Sequence, residues 1–263
     1  TGLVASDGSS TLMLTNTLLL ASGGQYKLCW CSRNSPCSST TVFSVEAGDL
    51  ILQGPYSNEQ DRTCVSGRTC LVDGIQGQDL LDSDLYLIQD TCGSNQILAS
   101  TVNAGQDVSV VASGAVVKWG LDSHTLAGGL YKLCWCSDRP TDTNISWPGL
   151  CTSAETYRST VGNLALRGPA PLQQDKTCIS GQVCNVEAIS GFLLDATGDS
   201  VMVLDTCGHP GRQSPSRGTV RAELETGGIL HFGSNSAAML GGTYRLCWCG
   251  IGLSEANSTP IEH

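Results

Sequence analysis

The sequence predicts an all-β fold, built as tandem disulfide-stapled β-sandwich modules of immunoglobulin-like type. Three observations predict it. A cysteine pattern recurs along the chain, the segments between cysteines are short and strand-like, and sustained helical periodicity over ten or more residues is hard to find. Residues 49–54 (DLILQG), 84–90 (DLYLIQD), 107–114 (DVSVVASG), 115–120 (AVVKWG) and 131–136 (YKLCWC) are β-rich runs separated by Gly, Ser, Asn and Asp. Several such strands per hundred-odd residues, with glycine-rich turns, point to sandwiches.

The repeat can be followed from end to end. GGQYKLCWC at 23–31 returns as GGLYKLCWC at 128–136 and GGTYRLCWC at 241–249. GPYSNEQDRTCVSGRTCLV at 54–72 matches GPAPLQQDKTCISGQVCNV at 168–186, and DTCG at 90–93 recurs at 205–208. Cys37 and Cys151, Cys64 and Cys178, and Cys70 and Cys184 are each 114 residues apart. The only complete unit carries six cysteines, at 64, 70, 92, 134, 136 and 151. The expected organisation is the C-terminal part of a module in 1–54, a complete module in 55–168, and a module lacking its last cysteine in 169–263. Linkers are expected near Gly54-Pro55 and Gly168-Pro169, because a Gly-Pro pair suits a junction better than a central strand.

Alternation along a strand puts Tyr26, Leu28 and Trp30 on one face and Lys27, Cys29 and Cys31 on the other. The apolar trio reads as the core face and the cysteines as the outer or edge side. One cysteine of each CWC would pair with the next cysteine downstream, Cys37 or Cys151, and the other with the upstream DTCG cysteine, Cys92 or Cys207. Cys64 with Cys70 and Cys178 with Cys184 would close local loops. This pairing of Cys31, Cys37, Cys64, Cys70, Cys92, Cys134, Cys136, Cys151, Cys178, Cys184, Cys207 and Cys247 is a hypothesis, since six cysteines allow fifteen connectivities. Cys29 and Cys249 are left over: free, joined to each other, joined to another chain, or completed by sequence outside these 263 residues.

Composition narrows the function classes. With 14 Lys plus Arg against 24 Asp plus Glu, the formal charge is −10, which argues against nucleic acid and anionic membranes as partners. Fourteen cysteines at recurring positions read as disulfides of an oxidising compartment, so the chain is expected to be extracellular or at the cell surface. The apolar run TLLLA is far short of the roughly 20 residues a spanning helix needs. Metal thiolate sites usually show different spacing, so no metal and no cofactor are expected. His124, His209, His231 and His263 share no repeat position, and an enzyme is not expected. Asp79, Asp82, Asp84, Asp90, Asp195, Asp199 and Asp205 read as turn residues rather than a calcium site. Asn144 and Asn257 head glycosylation sequons, each eight residues past the last cysteine of a CWC.

The combination of GP, C-x5-C, DTCG, GG-x-Y-[KR]-L-C-W-C and a further cysteine resembles the tandem cysteine-containing modules of very large surface or secreted proteins of alveolate protists. The resemblance covers essentially the whole chain. It implies a piece of a long extracellular repeat protein and brings no catalytic residues with it. A weaker similarity to immunoglobulin sandwiches does not extend to their tyrosine corner, since the Tyr stands three residues before a cysteine instead of two. The expected function is structural: a disulfide-stabilised, glycosylated subunit or segment of a fibre, coat or stalk. Its expected partners are copies of itself head to tail or neighbouring modules of a longer chain. The alternative is a surface adhesin or lectin-like module, for which outward-facing Trp30, Trp135 and Trp248 would serve as sugar platforms.

Overall fold

The structure is a computed structural model that describes residues 3–4, 12–13, 19, 21–32, 36–96, 98, 106, 109–119, 125–138, 151–186, 189–195, 198–208, 221–225, 229–231 and 240–250. Among these the chain is all-β, apart from two three-residue 3-10 turns at Thr40–Val42 and Ala154–Thr156. No helix of the described residues is long and apolar enough to cross a membrane.

The first repeat contributes β1 (Leu3–Val4), β2 (Leu12–Met13), β3 (Gly24–Trp30) and β4 (Val45–Leu52). β1 pairs with β2 and β3 with β4, both antiparallel. The second repeat contributes β5 (Gly54–Pro55), β6 (Arg62–Val65), β7 (Leu71–Val72), β8 (Gly77–Gln78), β9 (Leu85–Gln89), β10 (Ser109–Val111), β11 (Val116–Lys118), β12 (Gly129–Cys136) and β13 (Ser159–Pro169). β12 lies between β9 and β13, β6 runs parallel to β13, and a separate sheet has the order β10-β11-β7. The third repeat supplies β14 (Asn185–Val186), β15 (Gly191–Phe192), β16 (Ser200–Leu204), β17 (Arg221–Glu225), β18 (Ile229–His231) and β19 (Arg245–Cys249). Their sheet order is β14-β18-β17-β16-β19, while β15 joins β13.

The core of the second repeat lies between its two sheets. Val72, Val110 and Val117 from the three-stranded sheet share one apolar cluster with Tyr86, Ile88, Leu133, Trp135, Val161, Leu164 and Leu166 from the larger one. Trp119, whose role the sequence does not reveal, is fully buried there. A smaller cluster in the third repeat joins Val186, Ile189, Val201 and Leu230, with Leu246 and Trp248 packed against it. Hydrophobic burial on this scale drives folding at roughly 25 cal/mol per Å² of apolar surface.

Two expectations are corrected here. The cysteine face of the CWC strand is not an outer face in the complete repeat: Cys134 and Cys136 are buried beneath Leu87, Cys151 and Tyr157 in a second cluster. β12 is therefore covered on both sides, which explains its nearly unbroken apolar run. The Gly-Pro pairs are likewise not linkers. Gly168 and Pro169 lie within β13 and pair with Phe192 and Gly191, and Gly54 and Pro55 pair with Gln78 and Gly77 in the same way.

Candidate functional site

The features that repeat most faithfully converge on the junctions between units. At the first, the Gly23 amide donates to the Pro55 carbonyl at 2.6 Å and the Tyr56 amide to the Gln76 carbonyl at 3.1 Å. At the second, Gly128 donates to Pro169 at 2.9 Å and Ala170 to Ser190 at 3.0 Å. Strand hydrogen bonding thus passes through each junction.

Three glycines make that approach possible. A Cβ on Gly128 would stand 2.1 Å from the Gly168 carbonyl oxygen, and one on Gly191 would stand 2.5 Å from the same atom. The corresponding distances to the Gly54 oxygen are 1.9 Å from Gly23 and 2.6 Å from Gly77. Gly54 itself has φ +141° and lies against the Trp135 ring, which a Cβ would approach to 3.3 Å. Only glycine accepts that backbone comfortably. Gly168 meets the Trp248 ring similarly. The CWC tryptophan thus seats the Gly-Pro pair that enters its own unit.

The second glycine of GG-x-Y has a different task. Tyr26, Tyr131 and Tyr244 each donate their hydroxyl to the carbonyl four residues upstream, Ser22, Ala127 and Leu240, at 2.7, 2.8 and 2.7 Å. Each ring lies over Gly24, Gly129 or Gly242. A tyrosine-to-backbone tie is therefore present in all three copies, with a spacing to the cysteine that differs from the immunoglobulin tyrosine corner. Burial pushes the Tyr131 hydroxyl pKa up.

A buried ion pair adds to the second junction. Arg167 of β13 reaches Asp199 in the third repeat at 2.5 Å, with side chains 5 % and 0 % exposed, and Asp195 at 3.6 Å. The other oxygen of Asp199 accepts the Asp195 amide at 2.9 Å. At the first junction Gln53 stands in the arginine's place. There Asp84 accepts the Leu81 amide at 2.9 Å, and its second oxygen is buried without a partner. Asp82 accepts from the Gly114 amide at 3.2 Å. These carboxylates tie turns together, and among the described residues no group of three or more His, Cys, Asp or Glu is placed to hold a metal ion.

The structure joins Cys31 to Cys37, Cys64 to Cys70, Cys92 to Cys134, Cys136 to Cys151, Cys178 to Cys184 and Cys207 to Cys247. Cys29 and Cys249 are free and exposed. The first cysteine of a CWC goes upstream to DTCG and the second goes downstream. Cys29 is of the first kind and Cys249 of the second. Asn144, Asn257, His124, His209, His263 and Trp147 lie outside the described residues, as does the side chain of His231.

The same nine-residue motif has three levels of burial. Trp135 is 8 % exposed between flanking strands, whereas Trp30 is 48 % exposed on a β3 that has only β4 beside it among the described residues. β19 has only β16. Across the β3–β4 pair, Lys27 bonds to Asp49 and Glu46, which raise its pKa. In the second repeat Lys132 donates instead to Asn163 at 2.7 Å. On the far side of that strand, Asn163 donates its amide and its side-chain NH2 to Asp61, at 2.7 and 3.1 Å. The bond from the Asn163 amide is the main cause of the lowered Asp61 pKa.

No protein-family model matches the chain, and no solved structure matches it. A cysteine repeat modular protein B of Toxoplasma gondii is 23% identical over 151 residues, covering 43% of this chain. The chain spans about 2% of that protein's length. The likeness is to a cysteine-rich repeat protein of an alveolate protist. Together with the disulfides it points to a secreted or surface module.

Proposed function

We propose that the chain is an extracellular structural segment whose sandwich modules are welded in series to form part of a fibre, coat or stalk. The observation that carries this reading is the identical construction of the two junctions: hydrogen bonding through the junction, a three-glycine stack and a seated Gly-Pro pair. A joint of this kind resists bending and transmits tension, as a repeat array requires. The module boundaries at 54/55 and 168/169, the immunoglobulin-like outline and glycans on Asn144 and Asn257 belong to the same proposal. So does the absence of catalysis. The cysteine rule favours neighbouring repeat units as partners, because a Cys29-to-Cys249 bond would join an upstream-seeking cysteine to a downstream-seeking one. A lectin-like reading gains little: Trp135 and Trp248 pack against Gly54 and Gly168, which leaves Trp30 as the exposed ring of the three.

The test is antibody labelling against residues 55–168 on intact and on permeabilised cells, with glycopeptide mapping of Asn144 and Asn257. Labelling of intact surfaces or extracellular material is expected. A signal seen only after permeabilisation overturns the reading.

A further inference from the structure

In the second repeat, β13 fills a slot between β12 on one side and β6 on the other, antiparallel to the first and parallel to the second. Its Val161, Leu164 and Leu166 complete the core. In the third repeat the two walls of that slot recur as β19 and residues 174–179, yet among the described residues no strand lies between them. A groove of about 530 Å³ occupies the place, floored by Val186, Val201 and Val203. Its walls are unusually bare. Val65 on β6 is 7 % exposed, whereas its counterpart Ile179 is 63 % exposed.

We propose that this groove is a strand-acceptor site, and that its occupant is an extended segment of the repeat's own pattern, as in Ser159–Pro169 (STVGNLALRGP). β-Strand addition of this type gains main-chain hydrogen bonds along both edges and uses alternate side chains for specificity. The pattern itself argues for this occupant. Gly162 is required where β13 passes the second repeat's wall, since a Cβ there would meet Gln60 at 2.5 Å. The third repeat repeats that wall with Gln174 and Asp175, so the same glycine and the same Asn163 suit it. Val45–Pro55 (VEAGDLILQGP) carries the matching Gly48, where an added Cβ would meet nothing within 4 Å. Finally, a Cβ on Gly241 would meet nothing within 4 Å, while its counterpart Gly128 is pressed against Gly168 of the inserted strand. The third repeat therefore has a seat for a Gly-Pro pair. This inference rests on the serial-module reading and names the partner of the groove.

The test uses the full chain and a fluorescent synthetic peptide of residues 159–169. Saturable one-to-one binding by anisotropy is expected, with new amide protection at 245–249 and 176–179. Gly241→Ala is expected to weaken binding at least tenfold while leaving circular dichroism unchanged and without lowering the melting temperature. A peptide carrying Gly162→Val is expected to fail in the same way. Absence of binding, or binding indifferent to both changes, overturns the proposal. So does binding that appears only after truncation beyond Gly250, which would make the chain's own residues 251–263 the occupant. Peptide-inhibitable self-association in sedimentation velocity supports it, with a second copy supplying the strand. A failure here leaves the surface-labelling result standing, so the two readings are refuted separately.

Discussion

The same substitution at the same repeat position should have opposite consequences in the second and third units. Gly128→Ala places a methyl 2.1 Å from the Gly168 oxygen, whereas Gly241→Ala places one in open space. Neither glycine has a φ in the left-handed range, so alanine's backbone preferences enter equally. The gain from a stiffer unfolded chain, about 0.4–1 kcal/mol, is common to both and cancels in the difference. What remains is the junction. Relieving a contact about 1 Å too short against backbone costs on the order of 1–3 kcal/mol. Stretching the Gly128-to-Pro169 hydrogen bond adds about 0.5–1.5 kcal/mol. The two variants should therefore differ by about 2–4 kcal/mol in urea unfolding with disulfides intact. Hydrogen exchange should place the loss at residues 128 and 168–170. Equal stability of the two variants would refute the claim that glycine is there to let one backbone lie on another.

Further outcomes follow from the same geometry. Arg167→Met should destabilise the third repeat by about 3–5 kcal/mol, the usual cost of orphaning a buried charge. A double-mutant cycle with Asp199→Asn should return strong coupling, and additivity would sink the ion-pair account. The chain-entropy relation assigns about 4 kcal/mol to Cys92–Cys134, which spans 42 residues, and about 2 kcal/mol to Cys64–Cys70, which spans 6. Replacing each pair by Ala and Ser should reproduce that order in melting temperature. The Asp61 pKa is lowered when folded, so its contribution is present above the ordinary carboxylate value of about 3.9 and lost as pH falls through the lowered one. Acidification below about pH 4 should expose the Asn163 amide to exchange, and Asp61→Asn should abolish that pH dependence.

The all-β character was legible because strand-length apolar runs and turn residues are local signals. The two faces of the CWC strand were also legible, since alternation fixes which side chains point together. What covers each face was not. Cys134 is buried because Tyr157 and Leu87 arrive from elsewhere in the unit, and nothing near residue 134 announces them. The glycines were visible in number yet silent in purpose: Gly128 and Gly129 are adjacent, one needed by a strand 40 residues away and the other by its neighbour Tyr131. The tyrosine tie was not legible, since the spacing from Tyr131 to the cysteine bears no relation to a hydroxyl that reaches backward to Ala127.

β13 belongs to two units at once, pairing with β12 and then with β15 along a single strand. Such a strand sets the unit in which the protein can change length. One residue inserted within it would turn every later side chain to the opposite face and unseat the Gly-Pro pair beyond. Loops bear no such constraint: the bridge after the CWC strand closes 6 residues in the first copy and 15 in the second. Evolution can therefore lengthen this protein in two currencies, freely by the residue at its loops and only by the whole module along its axis.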